Sequence, residues 1–498
     1  MADPKGGTGR IRSRIAQRFG WGLADQMMSS LSNAAMSFYV ARELGASQFG
    51  AFSIAYVTYS FALNASRGLA TDPLLVKYSN AEAPVWRRAI TRSTGTSISV
   101  GVTTGICALA AAAALSGTLR LAFIALGLTL PGLLLQDSWR YAFFALGRGS
   151  QALINDTIWT MLLLPAMAFL RITHHNTVFW FVLLWGTTAT AAASFGPLQA
   201  RVIPRFSDAL EWVSRHRDLG PRYLVENTSN SGAAQLRTYS IGAIAGLAAV
   251  GYVQAAGLLM GPFLVVFMGI SLVTVPEAAR ILRHSLRHFR LYCILVGSGL
   301  AILGLLWGVA LLILMPRGLG TLLLGRQLWR PAYGLVLPYT LSVMGGCLIG
   351  GATAGLHALG AARRSLRAMV LASVIFLACG VIGAYDDGAV GTVWGAALAT
   401  WLGALLWWWQ LRLAIGEHGK PPPPGRRTSA GRHRGPAARS APPPGTADEE
   451  VLDSQSRADE GDVSVQAHVH GLDDGAARLA TIPVVRGGEG PVDRKVPR

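Results

Sequence analysis

The chain has 498 residues, 51% of them hydrophobic and only 14% charged, with a formal net charge of +18. An average soluble domain carries roughly 25% charged residues, so water is excluded as the main solvent and the composition reads as a membrane protein. The excess of positive charge is not a nucleic-acid footprint, because the basic residues collect in alternate loops between apolar runs.

Residues 1–19 form a basic N-terminal segment with Arg10, Arg12, Arg14 and Arg18, which reads as retained because no small-residue cleavage site follows. Apolar runs then recur about twelve times, each long enough to cross a hydrocarbon core of roughly 30 Å as a helix. The predicted spans are 20–42, 49–70, 93–117, 121–146, 151–171 and 177–199, then 222–244, 250–275, 290–315, 333–358, 366–385 and 389–413. Every second loop is basic: Lys77 to Arg92, Arg148, Arg201 to Arg217, Arg280 to Arg290, and Arg363 to Arg367. By the positive-inside rule both termini face the cytoplasm of a plasma (inner) membrane. Arg317, Arg326 and Arg330, on the opposite side, run against this pattern.

The expected organisation is an N-lobe of six helices over 20–199, a linker over 200–221, a C-lobe of six over 222–415, and a tail over 416–498. The linker stretch Ser207 to Leu219 reads as a short helix lying on the inner surface through Leu210, Trp212 and Val213. The tail is rich in Pro, Gly, Ser and mixed charge without apolar periodicity, which is the composition of a disordered cytoplasmic segment. Its RRTS string at Arg426 to Ser429 and its histidines 468 and 470 carry no specific signal, and the pair His174 and His175 reads as loop. Tryptophans 407 to 409 read as an interfacial belt, and Cys107, Cys293, Cys347 and Cys379, without CxxC spacing, as buried free thiols.

The two lobes are related by duplication. LADQMMSSLSN and LGASQFGAFSIA return as LVENTSNSGAA and AGLAAVGYVQAA, and one constant offset pairs Asp25 with Glu226, Gln26 with Asn227, Ser30 with Ser231, Gly45 with Gly246 and Gly50 with Gly251. ALGRGSQAL at Ala145 returns as ALGAARRSL at Ala358. With an even number of spans per copy, the copies share one orientation and are related by an axis along the membrane normal. The fold class is therefore all-α: a polytopic membrane protein of about 12 transmembrane helices in two homologous six-helix lobes around a central cavity.

Several charged residues sit inside these spans, where each costs roughly 2.5 to 3.5 kcal/mol on insertion scales. Asp25, Ser29, Ser32 and Asn33 share a face of the first span, and Ser53, Tyr56, Ser60, Asn64 and Arg67 a face of the second. The fourth carries Gln136, Asp137, Arg140 and Tyr141, the fifth Asp156, and the seventh Glu226 and Arg237. The expectation is that these stripes face a hydrated vestibule between the lobes. Simpler readings stand beside it: Asp25 and Glu226 complementing helix dipoles, Asp137 and Arg140 neutralising each other at i, i+3, and Arg67 reaching out to the headgroups. No GxxxxGK[ST] loop is present, so ATP-driven transport by this chain alone is not expected.

VARELGASQFGAFSIA, with its LG-x-x-x-FG core, AVGYVQAAGL and DSWRYAFFALGR resemble the polysaccharide-transporter (Wzx-like oligosaccharide flippase) branch of the MOP flippase superfamily, related to lipid II flippases and MATE extruders. The resemblance covers about residues 15 to 413 and leaves out the tail. It implies a two-lobed, alternating-access transporter, not an enzyme, that moves a polyprenyl-diphosphate-linked oligosaccharide or polysaccharide precursor from the inner to the outer leaflet. Twelve spans, without the extra pair of lipid II flippases, shift the reading toward export of other glycans. On that reading Arg67, Arg140 and Arg237 bind the diphosphate. Asp25, Asp137, Asp156 and Glu226 are cavity or ion-coupling acids for H+ or Na+, and Asn33, Asn64 and Gln136 line the cavity. No catalytic residue, metal or other cofactor is expected. The expected partners are the lipid-linked glycan, membrane lipids and, through the tail, glycan-synthesis enzymes. Alternatives are a MATE-like ion-coupled drug antiporter, which predicts an acid-dominated vestibule, and a transport-inactive scaffold that works through its tail. A glycan ligase would need a large outer loop, and none exceeds about 20 residues.

Overall fold

The computed structural model describes residues 5–79 and 81–418, and the tail beyond His418, where most of the segment 416–498 falls, lies outside them. No strand occurs among the described residues. The chain opens with α1 (Lys5–Glu43), so the basic N-terminal stretch is continuous with the first span. Next come α2 (Ala46–Ser66), a π turn at Arg67–Thr71 and α3 (Asp72–Tyr78), forming one leg with a wide turn in its middle. α4 (Ala83–Ala114), α5 (Gly117–Ala145), α6 (Gly149–Ile172) and α7 (Val178–Ala200) complete the first bundle. A short α8 (Ala209–Arg215) leads to α9 (Gly220–Ile244), α10 (Gly246–Leu282), α11 (Leu286–Leu314), α12 (Gly320–Ala358) and α13 (Ala362–His418).

Seven helical stretches are long and apolar enough to cross a membrane. Two of them, 286–358 and 362–418, double back on themselves. The first turns at the π turn Met315–Leu319 and at Gly325, whose φ is +70°. The second turns at Asp387 and Gly388, where Gly388 takes φ +53°. Gly383 and Gly391 then lie so close that a Cβ on either would strike the other's carbonyl. With five unbroken stretches, two doubled ones and the more polar α1, α2 and α9, the described residues make twelve legs, close to the sequence spans. Among the described residues α1, α2 and α9 are not among the seven.

Within the first bundle α5 packs on α4 and α7, and α6 on α1 and α7; in the second, α12 packs on α10, α11 and α13, and α9 on α13. The bundles meet where α2 lies against α9 and α10, and α1 against α12. At the end that holds the α1–α2 turn, here the far end, Gly50 sits backbone to backbone against Leu247 and Gly251. Those are the two glycines that the duplication pairs, so the repeat supplies both halves of one close contact. Gly325 adds a second approach onto the Arg42 carbonyl, and Arg42 donates to the Leu322 carbonyl at 3.0 Å. At the near end Gly68, in the π turn, meets the backbone of Leu224, and Asn227 donates to Asp72 at 2.8 Å.

In the linker helix Leu210 and Trp212 point to different sides. Leu210 is 85% exposed while Trp212 is 1% exposed, because residues two apart on a helix point to opposite sides. Trp212 donates its indole N–H to the Leu69 carbonyl of the π turn at 3.2 Å and stacks on Tyr78, so the linker is pinned to the first bundle by one side chain. Nor do the cysteines form one class: all four are free, but Cys107 is exposed on α4 whereas Cys293 and Cys347 are buried. Of the three adjacent tryptophans, Trp407 is in the core, Trp408 donates to the Leu348 carbonyl, and Trp409 is exposed.

Candidate functional site: a charge network inside the first bundle

The π turn begins at Arg67, and the extra residue it inserts swings that side chain onto α5. Arg67 binds Asp137 with two bonds, Nε to Oδ2 at 3.1 Å and Nη2 to Oδ1 at 2.8 Å, and its guanidinium lies 5.1 Å from the Tyr141 ring centre. One turn further along α5, Arg140 donates from Nε to Asp25 Oδ2 of α1 at 2.5 Å and from Nη2 to Gln26 at 3.0 Å. Asp156 of α6 approaches the same Nε at 3.7 Å and accepts from Gln136 at 2.7 Å. Asn155 continues the chain to α7, donating to the Ala192 carbonyl at 3.0 Å and to Gln199 at 3.2 Å. Five elements thus converge on one polar seam.

These contacts correct three expectations. Asp137 and Arg140 do not neutralise each other; Asp137 takes Arg67, and Arg140 takes Asp25. Arg67 turns inward rather than out to headgroups, its side chain only 14% exposed. Asp25, Gln136, Asp137, Arg140 and Asp156 face one another inside the first bundle, all buried, instead of lining a vestibule between the bundles. The physical reason is the cost of a bare charge in a low-dielectric interior: each ion is tolerated only where an opposite one touches it.

The remaining sequence candidates lie elsewhere. Arg237 of α9 stacks on Phe376 of α13, its guanidinium 4.4 Å from the ring centre, and packs against Gly380. Tyr239, two residues on, faces the first bundle and meets Thr58 at 2.8 Å. Arg237 is therefore on the opposite side of α9, inside the second bundle. Glu226 is half-buried and joins no ion pair among the described residues. Asn33 is half-buried on α1, two turns beyond Asp25, and Asn64 is half-buried one turn before Arg67. The network has no copy in the second bundle: with Ala145 set against Ala358, Asp137, Arg140 and Asp156 fall opposite Gly350, Thr353 and Met369.

Gln26, Asn155 and Gln199 take part without having been singled out. Gln26 and Asn155 each adjoin an acid that was, and a polar neighbour of a buried charge is the signal that would have found them.

Two guanidiniums and three carboxylates leave one negative charge in excess when all are ionised. Asp25 is 0% exposed, and its Oδ1 has no hydrogen-bond partner among the described residues. That oxygen is a place where a proton or a small cation completes the network. No three His, Cys, Asp or Glu side chains group as ligands of a metal ion among the described residues.

No family model and no curated sequence matches the chain. Solved structures do. An inward-facing multidrug resistance MATE family transporter of the MOP superfamily aligns at TM-score 0.62 and 13% identity, covering 80% of this chain and 98% of that one. Lipid II flippase MurJ in an inward closed conformation aligns at 0.57 and 11% identity, covering 80% and 90%. A MATE in the straight conformation aligns at 0.50 and 13%, covering 81% and 96%. The chain has the MATE and MurJ fold. That fold makes it a multi-pass membrane protein, and at these identities the likeness carries the architecture alone.

Proposed function

We propose that the chain is an alternating-access transporter that moves a polyprenyl-diphosphate-linked glycan precursor from the inner to the outer leaflet, coupled to protons or sodium through the first bundle. The near end, with its basic loops, faces the cytoplasm, and the far end is the side closed by Gly50 and Gly251. The observation that carries the coupling is the unpartnered Asp25 Oδ1 beside a network one negative charge in excess. Taking up one proton there cancels the excess and weakens the hold of Asp25 on Arg140. Arg140 and, by the same logic at Asp137, Arg67 are then free to engage a diphosphate, for which bidentate guanidiniums are suited. In the resting arrangement both arginines are held by acids, so anion binding and acid protonation are linked.

The test has two arms. Depletion of the protein is expected to cause a polyprenyl-diphosphate-linked intermediate to accumulate on the cytoplasmic leaflet; intact surface glycans without accumulation would refute the substrate. In proteoliposomes, Asp25→Asn is expected to retain binding and to lose the dependence of transport on a proton or sodium gradient. A gradient response equal to the parent's would remove the network from coupling. The drug-antiporter reading shares this network and differs in cargo: it predicts gradient-driven efflux of cationic dyes and no lipid-linked intermediate.

A further inference from the structure

We propose that the near end of the first bundle carries a second site, one that binds a phosphate-bearing headgroup. A cavity of about 370 Å³ opens there, lined by Trp86, Arg87, Arg148, Gln151, Gln199 and Arg201 among others. Its three arginines come from three elements: Arg87 from the first turns of α4, Arg148 from the residue that starts α6, and Arg201 from the residue that ends α7. Loop charge alone satisfies the positive-inside rule without gathering such residues around one concavity, and the gathering is a property of the tertiary structure.

Several other basic residues at this end are paired. Lys77 pairs with Asp218, Arg92 with Asp208 and Glu211, Arg215 with Glu211, Arg280 with Glu277 and Arg364 with Glu417. Among the described residues Arg87, Arg148 and Arg201 have no carboxylate partner, and Glu82, next to the cavity rim in sequence, pairs with none of them. Arg87, Arg148 and Arg201 are all exposed around one space, and an anion entering it meets three guanidiniums at once. The starts of α4 and α6 and the ends of α5 and α7 all meet at this cavity, so their dipoles offset one another and the arginines supply the positive charge. Trp86 and Gln151 complete the wall between the arginines. Arg201 holds φ +52°, a left-handed conformation that a non-glycine residue adopts at a cost. The chemistry that fits is a phosphate ester with a small polar substituent, either on a membrane lipid or free in solution. The site shares Gln199 with the outer end of the Asp25–Arg140 network but none of its charged residues, and it does not depend on the proposed cargo.

The test compares the full-length protein with Arg87→Gln/Arg148→Gln/Arg201→Gln, and with Arg283→Gln/Arg287→Gln/Arg290→Gln, which removes equal charge from the near end of the second bundle. Native mass spectrometry reads retention of phosphatidic acid against phosphatidylcholine, and the unfolding midpoint reads inorganic phosphate against chloride. Loss of charge-assisted bonds is expected to weaken phosphate binding by at least about tenfold in the first triple variant, and by much less in the second. Retention of phosphatidic acid with no effect of inorganic phosphate assigns the site to lipid; a phosphate shift without lipid retention assigns it to a soluble ester. Equal losses in both triple variants, or no preference of the parent for either phosphate probe, would overturn the proposal. Should the glutamine variant fail to fold, Arg87→Lys/Arg148→Lys/Arg201→Lys keeps the charge. It is expected to bind more weakly than the parent, and parent-level binding by it would refute directed guanidinium contacts.

Discussion

The pairing of Arg140 with Asp25 can be measured by a double-mutant cycle. Both side chains are nearly sealed, 8% and 0% exposed, and their contact is 2.5 Å. Arg140→Gln strands Asp25 and Asp156 without a cation, and removing one partner of a buried pair costs about 3 to 5 kcal/mol. Asp25→Asn is milder, because Gln26 and Asp156 still face the guanidinium; the loss of one bond to a charged group is about 1.5 to 3 kcal/mol. If the two charges act on each other, the double variant will cost less than the two single ones together, by about 1.5 to 3 kcal/mol. Equilibrium unfolding in mixed micelles, followed by tryptophan fluorescence, gives the four stabilities. Additivity within about 0.5 kcal/mol would refute the claim that this contact carries the stability of the seam.

Arg67→Lys keeps the charge but cannot make both bonds to Asp137, so a stability loss of about 1 to 2 kcal/mol is expected in the same assay; no loss would mean that the bidentate geometry is incidental. Gly50→Leu places a side chain against the Leu247 carbonyl and must part the bundles at the far end; spin labels across that end are expected to report longer distances, and an unchanged distribution would show that the contact does not hold them closed. Trp212→Ala removes the pin of the linker, at about 3 to 5 kcal/mol for a buried tryptophan, and is expected to make residues 203–219 the first site of limited proteolysis. Burial against Trp212 pushes the His216 imidazole below its ordinary value of 6.5. The docked linker binds fewer protons than the released one, so its stability is full above that pH and is lost as pH falls through the depressed value. Protease protection of the linker is therefore expected to fade on mild acidification, and to become pH-independent in His216→Gln.

The first hairpin shows how far the chain could be read before its structure. Asp25, Arg67, Asp137, Arg140 and Asp156 stand out in sequence because hydrocarbon penalises them one by one, whatever surrounds them. Gly50 and Gly251 were legible as a repeated pair, and their use as one backbone contact follows from the same repeat. The partners were not legible: Arg140 looked bound to Asp137 on its own helix, and it reaches Asp25 across the bundle instead. Arg237 was expected beside Arg67 and Arg140 at the diphosphate, and it stacks on Phe376 inside the second bundle.

The amino-acid order by itself determined the solvent, the span pattern, the duplication and the side on which basic loops collect, since each depends on local composition in a slab of fixed thickness. Tertiary structure alone decided which acid meets which arginine, how the linker docks through Trp212, and that Arg87, Arg148 and Arg201 share one cavity. Ion pairing and close packing depend on how each helix is rotated and crossed against its neighbours. A helical period read along one chain names the polar face but not what that face will touch.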